Sequence, residues 1–300
     1  MATIATQGPQ PKKIATLTLR IGEESDPLSV LAEGRDPDLD GFVYLHSSNR
    51  KTATAEFNAP TADKRKRSFV ITGRKPGSAS ILIWSSATRA TVDLARIGVT
   101  VEDFKSADVD LFYVGKYLVW RRSLPPAGDA DGFLVFDASS GTFPIASAQD
   151  QESSGPVPEG RYVFLAKFDP LQDTVEKANA LLKEGDKPGK GPFGNFRQGI
   201  QRLPVGGNGP VNVQWGETRV RLEPQFKLPG KRTGGFYLHD SKKGYTSGCV
   251  EVRRNDTGLL FFDALVSYAL SDRAKRRPNL VLQVIYRDKL TSTRGRTEEP

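Results

Sequence analysis

A mostly β protein of two domains is predicted: an N-terminal β-sandwich followed by a β-rich domain with a few helices. Three observations lead there. Between residues 14 and 103, short runs with period-two apolar alternation recur, separated by turn signals such as Asp36-Pro37-Asp38 and Lys75-Pro76-Gly77. The 29 glycines and 20 prolines mark a chain rich in turns. A length of 300 residues suits two domains rather than one, at about 100–200 residues each.

Taken in order, residues 1–13 are polar with prolines and read as a flexible lead. From Ile14 to Ile21 the chain alternates, with Ala15, Leu17, Leu19 and Ile21 on one face. Residues 41–45, 68–72, 80–84 and 96–101 read as further strands, completing a sandwich over 14–103. A polar hinge follows at 101–108. Residues 111–114 and 117–120 flank Gly115-Lys116, a two-residue hairpin signal. Residues 132–136 form another strand, and the small, polar stretch 139–158 reads as a substrate-facing loop. Asp173-Thr174-Val175-Glu176 has the form of a capping box opening a short helix to Leu182. The glycine-rich stretch 185–209 reads as a surface loop near the cleft. Asp256-Thr257 can cap an apolar helix over 259–270, a last strand spans 280–286, and the tail 291–300 reads as disordered.

Composition narrows the function. One cysteine excludes an intramolecular disulfide, so the fold stands on packing. The net charge of +8 suits a polyanion in general. The basic residues are scattered, however, and no zinc-finger, helix-turn-helix or aromatic-basic platform is present, so nucleic acid is not an expected partner. The densest positive run, Asp63-Lys64-Arg65-Lys66-Arg67, reads as a solvated loop, and His46 has no second ligand near it in sequence. No run of about 18 apolar residues exists, so no membrane span is expected, and the N-terminus lacks a basic-then-apolar signal pattern.

The stretch from Gly234 to Val250 holds the sole cysteine, Cys249, and one of two histidines, His239. A thiol reacts as thiolate and needs a base to become one. His239 follows an apolar strand-like run, and Lys242-Lys243-Gly244 supplies a turn that brings the chain back. Thr246-Ser247-Gly248 is a small approach to the sulfur, whose backbone N–H groups at Gly248 and Cys249 suit an oxyanion. Strand alternation places Asp240 on the face opposite Cys249 and leaves a backbone carbonyl as the expected partner of the second ring nitrogen.

His239 to Thr246-Ser247-Gly248-Cys249 resembles the catalytic segment of the L,D-transpeptidase family. Ser139-Ser140-Gly141, Gly155-Pro156-Val157-Pro158-Glu159-Gly160-Arg161-Tyr162 and the run from Trp215 to Pro224 resemble L,D-transpeptidase-like effectors delivered by type VI secretion. The resemblance covers roughly residues 110–290. Residues 69–81, with the closing Val99-Thr100-Val101, resemble bacterial immunoglobulin-like domains. The chain departs from the commoner transpeptidase pattern at Asp240, at Ser247, where a second histidine is usual, and at Glu251, where an arginine is usual.

The resemblance implies a domain over 108–290 that acts on peptidoglycan stem peptides by transpeptidation, D-amino acid exchange or L,D-carboxypeptidase cleavage. Cys249 would be nucleophile and His239 base, with Ser247 and Gly248 completing the catalytic segment. Thr246, Tyr237, Arg253 and Trp215 would meet substrate. No metal or organic cofactor is implied. An antibacterial effector would be made in the cytoplasm and act in the periplasm or wall of a target cell, with a secretion apparatus and an immunity protein as partners. The alternative is a non-catalytic wall-binding or virion-associated protein.

Overall fold

The computed structural model describes residues 2–6, 13–32, 43–58, 68–85, 95–104, 106, 108–121, 132–168, 199–202, 215–232, 234–255 and 257–298. The chain is mostly β and divides into two compact units, residues 1–105 and 106–300.

In the first unit one sheet runs β1-β3-β6-β5, from Ala2–Thr6, Leu28–Ala32, Ser68–Gly73 and Ala53–Phe57. The other runs β2-β8-β7-β4, from Thr16–Arg20, Ala95–Glu102, Gly77–Ser85 and Val43–Ser47. Alternation buries Leu19, Ile81, Ile83, Ile97 and Val99 from one sheet, and Phe69 and Ile71 from the other. β1 corrects the expected flexible lead: Ile4 is buried and pairs with Val30. Its propensity was masked by the prolines that follow. β5, Ala-Thr-Ala-Glu-Phe, had no alternating large apolars and escaped notice for that reason. The basic run 63–67 lies outside the described residues, and His46 is exposed.

The second unit is built on nine strands: β9 Leu111–Tyr113, β10 Tyr117–Arg121, β11 Phe133–Ser140, β12 Gly160–Leu165, β13 Ile200–Arg202, β14 Thr218–Pro224, β15 Phe236–His239, β16 Val250–Asn255 and β17 Asn279–Val284. They are ordered β12-β17-β9-β10-β11-β16-β15-β14-β13, and β12 also pairs with β14. Eight strands therefore close on themselves, with β13 attached outside the ring. Closure leaves fewer edges exposed to stray pairing. Helices α1, Phe261–Ala269, and α2, Asp272–Arg276, follow β16. The Phe261 ring packs edge-on to Phe136 at 5.4 Å and tilted to Trp120 at 5.9 Å, tying α1 to the core. No helix among the described residues is long and apolar enough to cross a membrane.

Three expectations change here. The turn before α1 is held by Asn255, whose Oδ1 accepts from Thr257 N–H, Thr257 Oγ1 and Leu259 N–H at 2.8–3.0 Å. An Asx-type turn thus replaces the expected Asp256-Thr257 cap. The tail expected to be disordered is ordered over 291–298: Ser292 and Arg294 bridge to Ile145 and Ser139, and Thr293 and Thr297 are buried. Its threonines bond the backbone of β11, a long-range contact that local polarity does not report. The stretch 141–158 is compact rather than open, with Thr142 and Phe143 N–H both donating to Ser154 O. The helix expected over 173–182 lies outside the described residues.

Candidate active site

β14, β15 and β16 are neighbours, and their register builds the site. Arg219 lies beside His239, and His239 beside Glu251. On the next strand Ser139 lies beside Glu251. Register partners share a face, so Arg219, His239, Glu251 and Ser139 form one polar row, each at most 2% exposed. Alternate residues Val220, Leu238, Val250 and Val252 face the apolar core. The same register sets Tyr237 level with Cys249, one position before Val250 of β16. The chain does double back, bringing His239 and Cys249 onto one face.

Glu251 stands where the commoner pattern has arginine, and its carboxylate organises the turn between the two scarce residues. It accepts from the Ser241 hydroxyl, from Lys243 N–H (3.1 Å) and from Gly244 N–H (2.8 Å). Ser241 N–H in turn donates to His239 Nδ1 at 3.5 Å. The ring's partner is therefore a backbone N–H, not the expected carbonyl. The reason is protonation: burial, helped by the positive charges of Lys243 and Arg219, holds His239 neutral with its pKa down to about 3. A neutral ring whose Nδ1 accepts carries its proton on Nε2. Asp240 turns away, its Oδ1 accepting from Glu217 N–H (2.7 Å) and Thr218 N–H (2.9 Å).

Cys249 is buried, and burial pushes its thiol up to about 11 against the pull of Tyr237 N–H and of Arg219, Lys243 and Arg232. Its Sγ–H donates to Gly235 O at 3.9 Å. The resting hydrogen bonds of thiol and imidazole thus go to other groups. The backbone around the sulfur is clamped from β11. Ser140 Oγ donates to Cys249 O (2.7 Å) and accepts from Val157 N–H (2.8 Å), while Ser139 Oγ donates to Gly244 O (2.7 Å).

Thr246, expected at the substrate, is buried and positions this loop instead. Its Oγ1 accepts from Gly141 N–H (3.0 Å) and Gly248 N–H (3.2 Å) and donates to Cys249 O (2.5 Å). The Gly248 N–H expected in an oxyanion hole is therefore already engaged. Ser247 is exposed beside the buried Gly248 and Cys249. Trp215 lies edge-on to Tyr237 (5.1 Å) and to His239 (5.5 Å), with Arg219 over both Trp215 and Tyr237. Arg253 is buried two residues beyond Glu251. Sequence reasoning passed over Lys243, Arg219, Arg232 and Ser241 as site members. Arg219 sat inside the quoted Trp215–Pro224 run, but only register puts it beside the histidine.

The His239 shift predicts a pH dependence of stability. Its folded pKa lies below the ordinary 6.5, so its contribution is present above 6.5 and lost as pH falls towards 3. Asp240 runs the other way: raised to about 6 by burial, it contributes below 3.8 and loses that as pH rises through 6. The difference between wild type and His239→Gln isolates the histidine. Urea midpoints at pH 7 and pH 4 should show the wild type losing more on acidification than the variant. Parallel losses would mean that His239 is not held neutral by the fold.

No family model and no curated protein matches this chain. Among solved structures it is similar to the S-layer protein SbsC. Domains 4 and 5 of that protein are 20% identical over 29% of this chain and 47% of theirs, with a TM-score of 0.23. A longer SbsC structure is 18% identical over 41% of this chain and 14% of its own, at 0.24. This chain thus spans less than half the length of the SbsC chains it matches. The LD transpeptidase LdtMt1 in complex with imipenem is 10% identical over 95% of this chain and 100% of its own, with a TM-score of 0.25.

Proposed function

We propose that this chain is a cysteine-dependent acyltransferase acting on peptidoglycan stem peptides, of the L,D-transpeptidase type. The observation that carries this is the shared face of His239 and Cys249, set by β15–β16 register and held by the Glu251-bound turn between them. Both groups are neutral at rest, so proton transfer accompanies attack rather than preceding it. Cys249 Sγ bonds to the carbonyl carbon between the L-centre and the terminal D-residue. Its proton goes to His239 Nδ1, the ring nitrogen without a proton, held only by the long Ser241 N–H contact. The C–N bond breaks, and the departing amine takes that proton. The thioester then passes to an amine or to water, which restores the thiol.

Incubating the protein with purified tetrapeptide muropeptides and resolving products by mass spectrometry tests this. Dimers, exchanged D-residues or tripeptides mark the three outcomes, and unchanged muropeptides would refute the proposal. The effector role is a further proposal, supported by the resemblance of the 139–162 and 215–224 segments. Expression of the second unit with an added periplasmic signal should arrest growth, and expression without it should not. Equal harmlessness in both compartments would end that role while leaving the chemistry standing.

A second reading, a non-catalytic wall-binding or virion-associated protein, draws on the raised thiol pKa. It predicts slow iodoacetamide labelling of Cys249 that muropeptide does not alter. The catalytic reading predicts labelling that muropeptide protects against.

A further inference from the structure

Arg232 carries a charge that nothing beside it neutralises. It is 8% exposed, and among the described residues its hydrogen bonds all leave from Nη1. They end on four backbone carbonyls: Gln149 (3.2 Å), Gln151 (2.8 Å), Gly155 (3.4 Å) and Pro156 (3.2 Å). Carbonyls orient a guanidinium but leave its full positive charge in place. The Phe236 ring, 5.0 Å from Cζ, is uncharged. The acid that acts on it, Glu152, sits exposed on the loop. A buried charge without an acid is costly.

Its other terminal nitrogen, Nη2, faces Gly248. A β-carbon at Gly248 would collide with it, and Gly248 also has φ of +105°. Glycine is thus required twice, for the turn and for the guanidinium. The result is a cation presented next to the residue that precedes the nucleophile. The neighbouring cations are otherwise engaged. Arg219 Nε donates to Gln201 Oε1 (2.7 Å), and Lys243 Nζ lies over the Tyr245 ring.

We propose that Arg232 is the carboxylate anchor of the site, holding the free terminal carboxylate of the peptide whose acyl group Cys249 takes. This rests on the acyl-transfer reading above. A guanidinium fork matches a carboxylate in shape and charge. Nη1 stays pinned to the loop while Nη2 meets the ligand, so the anchor is preorganised.

The test compares a tetrapeptide ending in a free carboxylate with its C-terminal amide. It also compares Cys249 alkylation by iodoacetate, an anion, with iodoacetamide, a neutral reagent. Wild type should favour the free acid by about tenfold or more in kcat/KM, and Arg232→Gln should bring the ratio to within about twofold. The iodoacetate-to-iodoacetamide ratio should exceed that of an unstructured cysteine peptide and fall to the peptide's value in Arg232→Gln. Arg232→Lys should fall between. Wild-type ratios retained by a folded Arg232→Gln protein would overturn the assignment. Should that variant unfold because the 149–156 loop is released, wild-type ratios no higher than those of the unstructured peptide and of one would overturn it equally. If neither peptide turns over, the acyl-transfer reading fails, and the alkylation ratio still decides Arg232.

Discussion

Cys249→Ala is expected to lower release of the terminal D-residue from a tetrapeptide stem by on the order of 10³-fold or more. The sulfur has no substitute, because this is the only cysteine in the chain. The loss is expected without unfolding. The clamps on this residue act on its carbonyl, through Ser140 and Thr246, and an alanine keeps that carbonyl. Deleting one sulfur from a site still 8% exposed leaves a small cavity rather than a collapsed core. Thermal melts should therefore agree within a few degrees while product formation disappears from the mass spectrum. Full activity in the variant would refute the nucleophile assignment.

Glu251→Ala is expected to destabilise the second unit by about 3–5 kcal/mol, the cost typical of breaking a buried charged network. Alanine would strand the buried Gly244 N–H and the Lys243 N–H, and leave the Ser241 hydroxyl without its acceptor. It would also leave Lys243 and Arg219 without the nearest fixed negative charge in the row. At about 2–4 °C per kcal/mol for a unit of this size, the melting temperature should fall by about 6–20 °C. Glu251→Gln should lose less, since one amide oxygen can still accept from the turn. Activity should fall in both variants, because Ser241 N–H sets the Nδ1 side of His239. A melting temperature unchanged in Glu251→Ala would mean that the turn holds itself, and that the carboxylate is not its anchor.

What the sequence could reveal follows from how local each cause is. Leu17, Leu19 and Ile21 alternate with polar neighbours, and that period is enough to identify a half-buried strand. The scarcity of cysteine and histidine, with glycine and a polar turn between them, was enough to single out His239 and Cys249. A lone pair of reactive side chains in one short segment leaves few partners to choose from. β1 and the ordered tail were missed because their order comes from distant strands: Ile4 against β3, and Thr293 against Ser140.

The sequence by itself determined that the chain is mostly β, that it has one thiol, and that the one nearby histidine is its natural base. Tertiary structure alone decided what surrounds them. Arg219 is twenty residues before His239 in sequence and beside it in the sheet, and Glu251, read in sequence as a departure at an arginine's position, proves to be the anchor of a turn. Burial alone also decided that thiol and imidazole rest neutral. The physical reason is common to both. Strand register and desolvation depend on which segments are packed together, and no window of neighbouring residues records that.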